Sequence, residues 1–403
     1  MSTWGTRGDV EPLLGLALEL RAQGVDVRMC APPDFAERVA EVGVSFVPMG
    51  SPVRALVATN PSPVDVAAML VDQHFDVIGE AAQDCDAVVA TGLVPAGVRS
   101  VTEHLGIHYV HAGFQLIGMP SLHYRPGPRP GGPFPPGETD LRVLWRIDAD
   151  RVDALFREPL NRHRAALDLP PVDNVRDHVF TSRPWLAVDP VLWPFEGALG
   201  LDPVQTGAWI MPDDRPLPAD LVAFLEDGEP PVYVGFGSMQ MAGVPDAAAV
   251  AVEAVRAQNR RPLLSGGWAD LGLIDEREDC FAVGEVNHRE LFRQVAAVVH
   301  HGGAGTTTAA ALAGAPQVIV PQIIDQPYWA QRVATLGIGA GHDGPTPTVE
   351  SLSTALGAVL SDGTRARSEE VSSMIRIDGA SVAAAMLIAQ VSGLVGQQAG
   401  TIT

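Results

Sequence analysis

The sequence predicts an α/β protein built from two parallel-sheet halves. Three observations carry this. Short apolar runs that suit buried strands alternate with longer runs at helical spacing. The alternation restarts after a connector rich in Pro, Gly and Asp. The 403 residues are also too many for one ordinary core.

In the first half, residues 12–23 (PLLGLALELRAQ) place apolar side chains on one helical face and stop at Gly24. Residues 25–30 alternate as a strand. Residues 35–42 form a short helix closed by Gly43, and residues 44–48 form a second strand. Residues 87–91 (AVVAT) and 108–112 read as buried strands. Only residues 1–4 precede the first loop, which leaves room for a stub strand unless the native start lies upstream. Residues 113–140 break the rhythm with Pro and Gly; a loop of that length inside a compact fold is usually functional or mobile. Helix resumes over residues 141–167, and residues 194–218 connect the halves. The second half repeats the pattern: strands at 232–234, 262–264, 297–300 and 318–321, and helices at 247–258 and after Gly305. Residues 371–391 are Ala-rich and helical. The expected domains are 1–205, 206–370 and a helical tail, 371–403, packing back on the first. Open α/β sheets bind ligands beyond the carboxyl ends of their strands, so a cleft between the halves is the expected site.

Composition removes several classes of function. The net charge of −21 repels phosphate backbones and anionic lipid, so neither nucleic acid nor a membrane surface is an expected partner. All 27 basic residues are arginine, which excludes a P-loop lysine and a Schiff-base lysine. Cys30, Cys85 and Cys280 are too few and too scattered for a disulfide framework or zinc cluster. The apolar runs fall short of a membrane span, and the opening residues do not form a signal peptide, so a cytoplasmic protein is expected.

The motif that carries most chemistry is HHGGAGTT at residues 300–307, between a strand and a helix. Glycines allow close backbone approach, and free amides at a helix start attract phosphate. Thr306 and Thr307 offer hydroxyls, and His301 an imidazole donor. PQIIDQP at residues 321–327 follows the next strand; Asp325 and Gln326 there offer acceptors and donors for sugar hydroxyls, or simply cap a helix. Asp9, alone, reads as a cap for the helix after it.

The segment 301–326 (HGGAGTTTAAALAGAPQVIVPQIIDQ) resembles the donor-binding signature of family 1 glycosyltransferases. TRGDVEP at residues 6–12 is similar to the first loop of that family. With VQTGAW (204–209), GWAD (267–270) and GEVNH (284–288), the chain resembles most the actinobacterial glycosyltransferases that decorate glycopeptide antibiotics. The resemblance implies the GT-B fold, two Rossmann-like domains facing across a cleft. It implies an inverting, metal-independent transfer of a sugar, such as a deoxysugar, from a dTDP- or UDP-sugar to a small-molecule natural-product aglycone. No other cofactor is implied, and an accessory protein stays open.

Residue by residue, the resemblance makes Asp9 the general base, a role many relatives give to histidine; burial would raise its pKa into a useful range. Ser238, His301, Gly303, Ala304, Gly305 and Thr306 would hold the diphosphate. Asp325 and Gln326 would hold the sugar, and the backbone of Val286 would meet the base. Arg7, His111, His123 and Tyr124 are candidate acceptor contacts. Two positions depart from the pattern. Ala309 replaces a glutamate that reaches the ribose, which leaves room for a thymidine-type donor. Glu285 replaces a tryptophan that stacks on the base. Asp84-Cys85-Asp86 and Asp148-Ala149-Asp150 mimic the metal-binding carboxylate pair of the other major glycosyltransferase fold but read as surface turns. A reading as a nicotinamide-dependent oxidoreductase lacks its Gly-x-Gly-x-x-Gly turn. An epimerase of similar fold, or a nucleotide-sugar-binding protein without transfer, is disfavoured by the Asp9 loop.

Overall fold

The computed structural model describes residues 1–59, 61–236, 247–266 and 277–400. The chain divides into two compact units: residues 1–190, 194–211 and 376–403, and residues 191–193 and 212–375.

The first unit holds a seven-stranded sheet in the order β3-β2-β1-β4-β5-β6-β7. Its strands are β1 (Ser2–Trp4), β2 (Arg28–Ala31), β3 (Ser45–Pro48), β4 (Ala87–Gly92), β5 (His108–Gly113), β6 (Trp185–Leu186) and β7 (Val204–Gln205). All the pairings are parallel. β1 lies inside the sheet, pairing with β4 from Ser2↔Ala90 to Trp4↔Gly92. The order reverses between β1 and β4, and at such a switch point loops diverge and leave a crevice.

The helix after β1 runs Arg7–Ala22, five residues earlier than its apolar spacing predicts. The polar first turn is held by a capping box, so it needs no apolar face. Leu13, Leu14, Leu16 and Leu20 are buried in the core with Met29, Val89, Val110 and Trp185, each worth roughly 1.5–3 kcal/mol of apolar burial. The Gly379–Gly400 helix adds Ala383, Ala384 and Leu387 to this same core. The Ala-rich tail is therefore not one helix. The Asp362–Met374 helix ends first, and at the break the Arg376 amide donates to Asp189 (2.9 Å) while its guanidinium holds Asp378. The stretch Asp362–Gly393 is apolar and long enough to cross a membrane; the apolar side chains just named lie inside the unit's core.

The second unit holds β8 (Val232–Gly235), β9 (Pro262–Ser265), β10 (Phe281–Val283), β11 (Ala297–His300), β12 (Gln317–Ile319) and β13 (Gly339–Gly341), ordered β10-β9-β8-β11-β12-β13. These pairings are parallel too, with a switch between β8 and β11.

A further sequence expectation fails in this fold. Asp148 is not in a surface turn. It is 1% exposed in the middle of the Leu141–Ala166 helix, with Arg129 at 2.5 Å and Arg176 at 3.6 Å. A buried carboxylate needs such partners. Arg129 comes from the Pro- and Gly-rich segment, so this pair fastens the segment to the helix. Asp84 does lie in a turn, paired with Arg28 at 2.8 Å.

Candidate active site

In the second unit β11 ends at His300, and the Ala304–Leu312 helix starts three residues after His301. Gly302 turns the chain with φ +96°, and a Cβ there would meet Ile319 at 2.7 Å and Gln326 at 3.3 Å. Gly303 occupies the N-cap without a side-chain cap. The first helical amide to find a carbonyl is that of Thr307, bonded to Gly303 at 3.0 Å. The amides of Ala304, Gly305 and Thr306 meet no acceptor among the described residues, and they carry the positive end of the helix dipole. Thr307 contributes no free hydroxyl, against expectation. It is buried and donates to the Gly303 carbonyl at 2.9 Å. Thr306 is only partly buried.

A buried relay holds this loop. The Gly302 amide donates to His300 Nδ1 (3.1 Å), His300 Nε2 donates to Gln317 Oε1 (2.9 Å), and Gln317 Nε2 donates to the Thr307 carbonyl (3.3 Å). Accepting at Nδ1 fixes the Nε2–H tautomer. Burial pushes the His300 pKa down to about 3, so the ring stays neutral. His301 is also held neutral, with a pKa lowered to about 4 by burial. Its Nδ1 is buried without a hydrogen-bond partner among the described residues. Its Nε2 would lie 2.7 Å from a Cβ on Gly303. Residue 303 must therefore be glycine for the imidazole to stand where it does.

The loop after β12 packs against this turn through Gln326 and Gly302. Gln326 is buried, and its Oε1 accepts from the amides of Gln322 (2.7 Å) and Ile323 (3.0 Å). That oxygen is committed to the loop's own backbone. Asp325 Oδ2 accepts from Trp329 Nε1 at 3.0 Å. Trp329 meets Trp193 edge-on at 4.9 Å. This apolar surrounding raises the Asp325 pKa to about 6, by burial foremost. Val286 is half-buried and packs against the core around Leu291 and Phe292. Next to it, Asn287 caps the His288–Phe292 helix and donates to the Asp213 carbonyl at 2.6 Å. Ser238 and residues 267–270 lie outside the described residues.

In the first unit Asp9 is the third residue of its helix, and Thr6 is the cap. Its Oδ2 accepts from the Thr6 amide at 2.8 Å, and it fills the space a side chain on Gly5 would need. Arg7 is exposed and lies 3.2 Å from Glu11. The other acceptor candidates have partners of their own. His111 is buried against Phe180, its pKa lowered to about 4 by burial. Tyr124 donates to the Pro194 carbonyl at 2.8 Å. His123 is half-exposed, 3.7 Å from Glu196.

Trp329 and Gln317 were not singled out from sequence. The four-residue spacing from Asp325 to Trp329 is a signal for the first. Nothing local marks Gln317, whose partners come from two other elements.

Residues 1–110 match the glycosyltransferase family 28 N-terminal domain, and residues 278–390 match the C-terminal domain of erythromycin biosynthesis protein CIII-like enzymes. The chain is 53% identical to glycosyltransferase GtfE of Amycolatopsis orientalis over 97% of each chain. The chain belongs to the antibiotic glycosyltransferases of the GT-B fold. It is 51% identical to the vancomycin aglycone glucosyltransferase of the same organism, again over 97% of each. Among solved structures, the glycosyltransferase of kitacinnamycin superposes with a TM-score of 0.73 at 21% identity, covering 97% of each chain; at that identity the likeness is one of fold.

Proposed function

We propose that this glycosyltransferase moves a sugar from a dTDP- or UDP-sugar onto a natural-product aglycone of the glycopeptide class, with inversion and without a metal. The observation that carries this reading is the uncapped start of the Ala304–Leu312 helix beside the unpartnered Nδ1 of His301. Three amides, one imidazole N–H and the helix dipole together suit a diphosphate. As the bond to the anomeric carbon breaks, negative charge grows on the leaving phosphate, and preorganised donors stabilise that charge most. His301 donates as the neutral ring, because burial keeps it unprotonated at pH 7. Asp325, ionised above about pH 6, accepts from a sugar hydroxyl. Ser238 adds a donor to the phosphate, Gln326 holds the loop and reaches the sugar, and Val286 meets the base through its backbone.

Asp9 takes the proton of the acceptor hydroxyl as that oxygen attacks, so no covalent enzyme intermediate forms. Arg7, His111, His123 and Tyr124 are assigned to the acceptor side more weakly, since His111 and Tyr124 already serve the fold. Ala309 leaves the ribose 2′ position without a carboxylate and favours dTDP. The enzyme works in the cytoplasm on small molecules, with no nucleic-acid partner and no membrane insertion. Residues 1–205 form the acceptor domain and 206–370 the donor domain, with residues 371–403 as a tail.

Calorimetric titration with dTDP, UDP and NAD tests the donor reading. Binding of dTDP or UDP without NAD supports it and selects the base. Absence of binding by both diphosphates in folded protein rejects it.

A further inference from the structure

Ile324 has φ +55°. A β-branched residue in the left-handed region is an outlier, because its Cβ crowds the following carbonyl at a cost of about 1–3 kcal/mol. Such a cost is commonly offset by burying the side chain in the core. Here it is not: Ile324 is 45% exposed and its neighbour Ile323 is 50% exposed. The loop around them is tightly held. Gln326 Oε1 accepts from Gln322 and Ile323, and the Gln326 amide donates back to the Ile323 carbonyl at 3.1 Å. Asp325, the next residue, has its carboxylate fixed by Trp329. Glycine or asparagine would adopt the same backbone at little cost. The folded chain thus carries at Ile324 a strained, half-exposed isoleucine beside the half-buried Asp325.

We infer that the Ile324 side chain, with Ile323 beside it, is a donor-sugar contact: an apolar rest for the C–H edge of the pyranose whose hydroxyl meets Asp325. This rests on the nucleotide-sugar reading of the site. A pyranose presents an apolar edge of C–H groups alongside its hydroxyls. Covering half-exposed isoleucines with that edge removes apolar surface from water at roughly 25 cal/mol per Å². That gain exists only when the donor carries its sugar, and not for the free nucleoside diphosphate.

The test uses Ile324→Gly and Ile324→Asn in the full chain. Both relieve the backbone strain, so the melting temperature holds or rises, whereas truncating an unstrained half-buried isoleucine lowers it. Turnover with the nucleotide sugar falls, with KM for the donor raised about fivefold to tenfold. Affinity for dTDP or UDP stays within twofold of the unsubstituted enzyme, and so does KM for the acceptor. A variant that melts lower, keeps its donor KM, or changes only the acceptor KM overturns the inference. Failure of the unsubstituted protein to bind either diphosphate rejects the underlying site reading instead.

Discussion

Two helices in this molecule follow a strand at a sheet's switch point, and their first turns differ in one respect. The Arg7–Ala22 helix caps itself: Thr6 and Asp9 close a reciprocal box. The Ala304–Leu312 helix has glycine at its cap and no side chain to satisfy its first amides. A capped start is complete without a ligand, and its box uses one oxygen of the Asp9 carboxylate, Oδ2. An uncapped start is incomplete until something anionic arrives. In the function proposed above, the difference separates a place for proton transfer from a place for a phosphate.

The largest expected effect sets the two tasks of Asp9 apart. Asp9→Asn keeps an oxygen for the Thr6 amide but removes the base. Turnover should drop about 10²–10⁴-fold with unchanged dTDP or UDP affinity and little change in melting. Asp9→Ala should lose the same turnover and about 1 kcal/mol of stability besides. Wild-type turnover in the asparagine variant would leave Asp9 as a cap and nothing more.

Next is the uncapped helix. Gly303→Val places carbon where His301 now stands, displacing the imidazole and blocking the amides. Diphosphate affinity should fall about 100-fold, the equivalent of one charge-assisted hydrogen bond lost, read by calorimetry. An unchanged Kd would mean the phosphate binds elsewhere.

Asp325 gives a smaller effect with a sign that can be checked. Its pKa is near 6 when folded and 3.8 when free. Between those values the folded state binds the extra proton, so stability falls as pH rises from about 4 to 6. Asp325→Asn keeps an acceptor for Trp329 and removes the buried charge. Above pH 6 it should melt higher, by on the order of 2 kcal/mol, while donor turnover declines. Chemical denaturation at pH 4.5 and 7.5 measures this; a variant less stable at pH 7.5 contradicts the burial argument.

The smallest effect contrasts two neighbouring hydroxyls. Thr306→Val should weaken diphosphate binding a few-fold. Thr307→Val should leave Kd alone and cost about 1 kcal/mol, because its hydroxyl serves Gly303. The reverse pattern would exchange their roles.

The parallel sheets were legible because buried strands leave continuous apolar runs such as AVVA and AVVH. β13 was not: Gly-Ala-Gly has no strand propensity, and it is a strand only because β12 pairs with it. Gly339 has no room for a side chain, since a Cβ there would lie 2.3 Å from the Gln317 carbonyl oxygen. The glycine-rich turn between β11 and the Ala304–Leu312 helix was legible from its local pattern. The commitment of Gln326 and Thr307 to the backbone was not, because it depends on how the turn closes. Nor could sequence show Asp148 buried, since its partners Arg129 and Arg176 lie 19 and 28 positions away along the chain.

The Gly379–Gly400 helix completes the core of the first unit, although residues 212–375 of the second unit come before it in the chain. During translation the leucines of the Arg7–Ala22 helix therefore leave the ribosome long before the alanines that cover them. Throughout synthesis of the second unit, that apolar strip stays available to chaperones or to a neighbouring nascent chain. Shortening the tail would expose it permanently, and the damage would register as poor yield of protein before any change in catalysis could be measured.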